Sequence, residues 1–238
     1  MKILLTPMFY VKNILDTSTI FKNLKKNVVY IGTNPKRIKK ISRNFARKFL
    51  KIDIKEKIIL FATFNLNSNF KGAHLLRESL NILDNDIEIY KKNKIRLITF
   101  GNLNGFNLTT KNILWTHFAP TKSDKIINYI LRASNVLVCP SLFCFGPHIV
   151  EEALMNKIPV VAYKSGSAID FIKNGQNGYL VEKYDTKDFA NSIKKVLIKN
   201  KFIFNNNLYK HIKKKCSSEA ETEKIIKLSQ EDLDKKIV

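Results

Sequence analysis

The residues able to do chemistry gather in three loops, each following a short apolar run and leading into a helical pattern. The first is Asn65-Leu66-Asn67-Ser68-Asn69-Phe70-Lys71-Gly72. A helix start offers free backbone N–H groups and a positive dipole end, and Lys71 adds a mobile cation, so the loop suits a diphosphate. Taken alone, Lys71 fits a solvated loop lysine better, being one of 42 basic residues. The second loop runs from Pro140 to His148 and opens the helical stretch Ile149-Val150-Glu151-Glu152-Ala153-Leu154. Gly146 permits close backbone approach to a ligand, and Pro147 is tolerated at a helix start. His148 and Glu152 are four apart, hence on one helical face. A carboxylate at 152 can accept hydrogen bonds from ribose hydroxyls or simply face solvent, and the local sequence leaves both readings open. Glu151 reads as the solvent-facing one of the pair. The third loop is Lys164-Ser165-Gly166-Ser167-Ala168, small residues suited to a phosphate or a sugar hydroxyl. Such a loop is weak evidence by itself. Lys173 to Gly178 reads as turn chemistry. His74, His117 and His211 have no carboxylate or cysteine in ligand spacing and read as structural, and no metal motif or Ser-His-Asp arrangement stands out.

Loops of this kind act together only if one sheet holds them. Strand-length apolar runs occur at Ile58–Phe61, Ile95–Ile98, Val136–Cys139, Val160–Tyr163 and Tyr179–Val181, with a weaker one at Ile113–Trp115. They are short and branched, as buried parallel strands are. Between them, Leu75, Leu76, Ser79, Leu80 and Leu83 share a helical face; so do Ile126, Ile127, Ile130 and Leu131 after a cap at Ser123. Phe189, Ile193, Val196 and Leu197 repeat the pattern with Thr186 as candidate cap. The alternation predicts an α/β fold, a Rossmann-like open parallel sheet with helices on both faces, over residues 57–200. Residues 1–35 hold a helix-like stretch and a strand at Asn27–Ile31, too little for a core of their own. Residues 36–56 read as a linker and leading helix, and 201–238 as a polar tail, helical from Ser217.

With 45% hydrophobic residues the 238-residue chain can build a core, yet no apolar run reaches membrane-spanning length. Its opening Met1-Lys2-Ile3-Leu4-Leu5 faintly resembles a signal sequence, but Thr6 and Pro7 interrupt it and no cleavage site follows. Cys139, Cys144 and Cys216 form no CxxC pair, which argues for a reducing compartment and against a disulfide framework or a structural zinc. The net charge of +22 could attract nucleic acid, anionic lipid or phosphorylated ligands. Part of it reflects a composition rich in lysine, asparagine and isoleucine. The basic residues are spread along the chain without interleaved aromatics or an RNA-binding signature, which leaves a nucleic-acid-binding module as a distant alternative. Holding an enzyme near an anionic bilayer is the better physical use.

In their order and spacing, several fragments resemble glycosyltransferase family 4 (group 1), specifically the C-terminal, nucleotide-sugar-binding domain of these retaining GT-B enzymes. They are Ala133-Ser134-Asn135-Val136, Pro140-Ser141, Glu152-Ala153, Ile158 to Tyr163, Ser165-Gly166-Ser167 and Asn174 to Val181. The likeness covers roughly residues 20–235 and is nearest to bacterial transferases that build surface polysaccharides. It implies one half of a GT-B fold, with most of an N-terminal acceptor-binding domain missing. It also implies a donor site formed by Asn65, Lys71, Gly72, Cys144, Gly146, Pro147, His148, Glu152, Ser165, Gly166 and Ser167. Two family glutamates, eight apart, contact the donor sugar and the ribose; Glu152 falls on the second and Cys144 on the first. A thiol cannot accept hydrogen bonds as a carboxylate does. The family's basic pair on the diphosphate falls on Lys71 and, for the arginine, on Asn65, which leaves one cation where two are usual. The resemblance implies a nucleotide-diphosphate sugar as donor, a glycan or lipid-linked acceptor, and no metal or other cofactor, because protein cations offset leaving-group charge. It implies cytoplasmic placement, with contact at the inner face of the membrane, and a non-catalytic remnant or one half of a split transferase as the alternative.

Overall fold

The computed structural model describes residues 3–33, 38–143, 148–198, 202 and 206–237. A small two-stranded sheet, β1 (Ile3–Thr6) and β2 (Lys25–Val28), precedes a central six-stranded sheet built from β3 (Lys57–Asn65), β4 (Ile95–Asn102), β5 (Leu114–Phe118), β6 (Val136–Cys139), β7 (Val160–Tyr163) and β8 (Gly178–Val181). The strand order is β5-β4-β3-β6-β7-β8 and every pairing is parallel. Side chains alternate across each strand, and here both faces are covered. Ile58, Leu60, Leu137 and Val160 join one buried cluster, while Ile59, Phe61, Val138 and Val161 join another. The first face is packed by α5 (Asp124–Ala133) and α6 (His148–Met155), the second by α3 (Ala73–Asp84) and α8 (Thr186–Ile198).

The chain leaves β3 over one face through α3 and returns as β4. It leaves β6 over the opposite face through α6 and returns as β7. The topological switch point, where open α/β sheets form their ligand crevice, therefore lies between the carboxyl ends of β3 and β6. The amino ends of these two strands are pinned by one buried residue, Arg47, on α2 (Arg43–Phe49). Its Nε donates to the Ala133 carbonyl at 2.9 Å, Nη1 to that of Ile54 at 2.6 Å, and Nη2 to Asn135 Oδ1 at 2.7 Å. Asn135 Oδ1 also accepts from the Ile58 amide at 2.8 Å, which joins β3 to β6. Arg47→Met keeps the aliphatic packing but loses three charge-assisted bonds. It should cost about 2 kcal/mol, read as a lower midpoint in urea unfolding with an unchanged slope.

The expected strands and helices are present, with informative differences. The strand reading at 58–61 undershoots β3, and the one at 95–98 undershoots β4, because their last residues are polar or aromatic and continue the ladder toward the crevice. Ser123 caps α5 through a bond from the Ile126 amide, as expected. Thr186 does not cap α8: its hydroxyl donates to Glu78 Oε1, and the cap is Asp185, whose Oδ1 accepts from the Asp188 amide. Ile3–Thr6 forms β1 and pairs in parallel with β2 (Lys25–Val28), so the second strand begins before the expected Asn27; α1 (Phe9–Asp16) joins them. Two short helices, α4 (Ile87–Tyr90) and α7 (Ala168–Phe171), punctuate the main unit. The tail holds an unexpected helix, α9 (Asn206–Lys215), before α10 (Ser218–Ile237), whose start is capped by Ser217. In α9 a mostly lysine-rich sequence hides the buried Ile212 and partly buried Tyr209, too few apolar positions to show a period.

Candidate functional site

Three of the loops that face the crevice are those singled out by their chemistry. After β3, the chain turns tightly: the amides of Lys71 and Gly72 donate to the Ser68 and Asn69 carbonyls. Gly72 then starts α3 in a left-handed conformation (φ 70°), with no side-chain cap on the helix. A Cβ at Gly72 would lie 1.9 Å from the Pro140 carbonyl oxygen, so only glycine lets this loop rest on the one after β6. The two loops are tied again by the Leu142 amide, which donates to the Phe70 carbonyl at 3.0 Å. Lys71 is half-buried, and its charge acts on the buried Cys139 thiol at the end of β6, although burial dominates there and pushes that thiol up. Asn65 spends its side-chain oxygen on the Asn67 amide two residues on. The guanidinium of Arg77 donates to Asn67 Oδ1 at 3.1 Å and stands over the Phe106 ring.

Of the second loop, Cys144, Gly146 and Pro147 lie outside the described residues. His148 is exposed at the start of α6. Here the structure overturns one expectation: Glu151 does not face solvent but is only 6% exposed. It is turned toward the Ser167 turn, within the electrostatic reach of Asp170, Tyr30, Cys139 and Cys216. Burial pushes its carboxyl up to about 7; the nearby Ser167 hydroxyl and its own backbone offset this in part, and the charges of Glu152 and Asp170 add to it. The Ser167 hydroxyl does so without closing a hydrogen bond to Glu151 Oε2. Glu152 turns the other way, toward α5 and the linker, where it lines a small cleft with Thr33, Asp124, Asn128 and Asn156. The cleft follows the seam between α5 and α6, from Asp124 at the start of α5 to Asn156 just past the end of α6.

The third loop is buried: Ser165 is 3% exposed and Ser167 1%, around a left-handed Gly166 (φ 58°). Ser165 Oγ, Ser167 Oγ and Glu151 Oε2 are all buried without a hydrogen-bond partner in the chain. Native interiors rarely tolerate such oxygens; here two lie in the turn after β7 and one in the first turn of α6, at the same end of the sheet, where a ligand rich in hydroxyls or phosphate oxygens would satisfy them. Asp170, just beyond, anchors the amino-terminal segment: its Oδ2 accepts from the Phe9 amide at 3.0 Å and from Tyr30 Oη at 3.1 Å. His117 bonds Thr99 within the sheet, in keeping with a structural role. Among the described residues no group of three or more His, Cys, Asp or Glu side chains could hold a metal ion.

Sequence reading missed Glu151. The signal available was a carboxylate inside an otherwise apolar helix face: Val150, Ala153 and Leu154 are all buried beside it.

Residues 42–215 match the family model described as "Glycosyl transferases group 1". No curated protein sequence matches the chain significantly. Among solved structures, sucrose-phosphate synthase from Thermosynechococcus elongatus is similar at 17% identity and a TM-score of 0.75, over 98% of this chain and 58% of that one. A glycosyltransferase from Rickettsia africae is also 17% identical with a TM-score of 0.75, over 98% and 64%. Anabaena HepE in complex with UDP and glucose is 16% identical with a TM-score of 0.72, over 96% and 63%. The chain thus spans about three-fifths of the length of these structures, and the sheet with its flanking helices has the Rossmann-like fold of a GT-B half.

Proposed function

The chain belongs to the group 1 glycosyl transferases, and from that premise we propose that its switch-point crevice binds the diphosphate and sugar of a nucleotide-sugar donor for retaining transfer to a surface glycan. The buried, unpartnered oxygens of Glu151, Ser165 and Ser167, at the same end of the sheet as the Lys71 turn, carry this reading. Lys71 and the uncapped start of α3 hold the diphosphate. Glu152 takes the ribose from the α5 side, and the Ser165–Ser167 turn meets the sugar hydroxyls. HepE, solved with UDP-glucose, supports a uridine nucleotide as the first donor to test. In this reading residues 57–200 form the donor domain, family 4 is the kinship, and the protein works in the cytoplasm against the inner face of the membrane, on a glycan or lipid-linked acceptor.

Calorimetric titration with UDP- and GDP-sugars is the test. One of them should bind, and Lys71→Ala should weaken it about tenfold, the order expected for losing one charge-assisted hydrogen bond to phosphate. No heat with any nucleotide sugar would overturn the donor reading.

A second reading, a donor-binding half without turnover of its own, is favoured by Asn65. Its side chain is committed to the local turn and brings no second cation to the diphosphate. Sugar transfer by this chain alone would exclude that reading; transfer only after adding a separately expressed acceptor-binding half would establish the split enzyme.

A further inference from the structure

At the opposite end of the sheet lies a second concave site that the donor reading does not use. The carboxyl ends of α5 and α6 feed the amino ends of β6 and β7, so this cleft sits on the edge away from the crevice. It has a volume of about 790 Å³ and runs between residues 38–42, the ends of α5 and α6, and α9. Its lining includes Lys39, Lys40, Arg132, Lys157, Lys210 and Lys213 and, among the described residues, no acidic one. Arg132 is held in place, donating to the carbonyls of Ile41 and Asn156, both at 2.7 Å. The five lysines are exposed, and none forms an ion pair with a carboxylate of the described residues. Lys157 also occupies a left-handed position (φ 58°) at the end of α6, where a glycine would be free of strain, so the cation is kept at a local cost.

The floor is apolar, with buried Met155 and half-buried Tyr209, over whose ring Lys157 Nζ stands at 5.6 Å. The rim residue Ser42 is also the cap of α2, and that helix carries two half-exposed aromatic side chains, Phe45 (55%) and Phe49 (47%), whose inner faces rest on Tyr129 of α5. Unneutralised lysines around a concave apolar floor, next to exposed phenylalanines, have the composition of an interfacial surface. The cations meet lipid phosphates and the rings enter the headgroup boundary.

We propose that this end of the molecule docks on an anionic phospholipid bilayer, with the Lys39–Lys213 cleft receiving phosphodiester headgroups and Phe45 and Phe49 seated at the boundary. This rests on the membrane contact proposed above and gives it a surface; it is separable from donor binding, because it is read without nucleotide sugar.

The test is vesicle co-sedimentation of the full chain at physiological ionic strength. Phosphatidylcholine vesicles are used with and without phosphatidylglycerol. The protein should sediment with the anionic vesicles only. Lys210→Ala/Lys213→Ala should weaken binding about thirtyfold, roughly fivefold per lysine. Lys224→Ala/Lys227→Ala, the same loss of charge on α10, should leave it nearly unchanged. Phe45→Ser should weaken binding several-fold without altering its salt dependence. Both double variants remove exposed side chains, and unchanged thermal melts and donor calorimetry confirm that each is folded. Absence of binding to the anionic vesicles, or an equal loss for the two lysine pairs, overturns the proposal. In the latter case the net charge of the whole molecule, not this cleft, does the binding. Loss of vesicle binding with intact donor binding, and the reverse, tell failure of the surface from failure of the donor site.

Discussion

Glu151→Gln should be more stable than the natural protein at pH 8 by about 3 kcal/mol, with the difference vanishing near pH 4. The buried carboxyl titrates near 7 in the folded chain, against 4.5 for the ordinary group. Between those values the folded state holds a proton that the unfolded state has released. Stability therefore falls as pH rises through this window, the reverse of the usual carboxylate. Above pH 7 the full penalty of a charged carboxylate in a poorly solvated place applies, with Asp170 and Glu152 adding like charge. Glutamine has the same shape and no charge, so the variant should hold a flat profile. Thermal melts at a series of pH values read this directly. In a chain of this size the expected gap at pH 8 is roughly 6–10 °C. Parallel curves for the two proteins from pH 4 to 8 would mean that Glu151 is not buried as described.

The second large effect concerns the contact that forms the crevice. Gly72→Ala should cost about 3–4 kcal/mol and abolish donor binding, from left-handed strain together with the displacement of a backbone carbonyl. The new methyl would meet the Pro140 oxygen at 1.9 Å and its carbonyl carbon at 2.8 Å. Neither belongs to a flexible side chain, so the loop after β3 must separate from the loop after β6. Gly175→Ala is the matched control. It has nearly the same backbone angle (φ 75°), but nothing lies within 4 Å of the added carbon, and only the strain of about 1 kcal/mol should appear. Equal destabilisation by the two substitutions would show that the steric contact with Pro140 is not what closes the switch point. Denaturant midpoints give the stabilities, and calorimetry with the donor gives the binding.

Much of this was legible in the chain because it is local. Strand runs such as Val136–Cys139 declare themselves as short, continuous, branched apolar stretches and helical faces such as Leu76 and Leu80 through a spacing of three to four, neither of which needs a partner to be read. The three loops were found in the same way, since each follows a buried strand and precedes a helix. Strand β1 was not legible: the three apolar residues Ile3, Leu4 and Leu5 look alike whether they pair with β2 or lead elsewhere, and pairing with Lys25–Val28 is a contact across some twenty residues. Asp185, rather than Thr186, caps α8 because Glu78 of α3 claims the threonine hydroxyl, a fact held by another helix.

The sequence alone determined the kinds and order of the elements, and with them an open parallel sheet whose loops could meet a phosphate. It could not determine which of two adjacent glutamates turns inward. Neighbours on a helix point about 100° apart, so one carboxylate must face the Ser167 turn while the other faces α5. What decides between them is the packing around α6, where Tyr30 and Cys216 come from segments far along the chain. Nor could the sequence gather six scattered cations into one cleft: only the return of α9 across the ends of α5 and α6 brings Lys39 and Lys213 to the same rim.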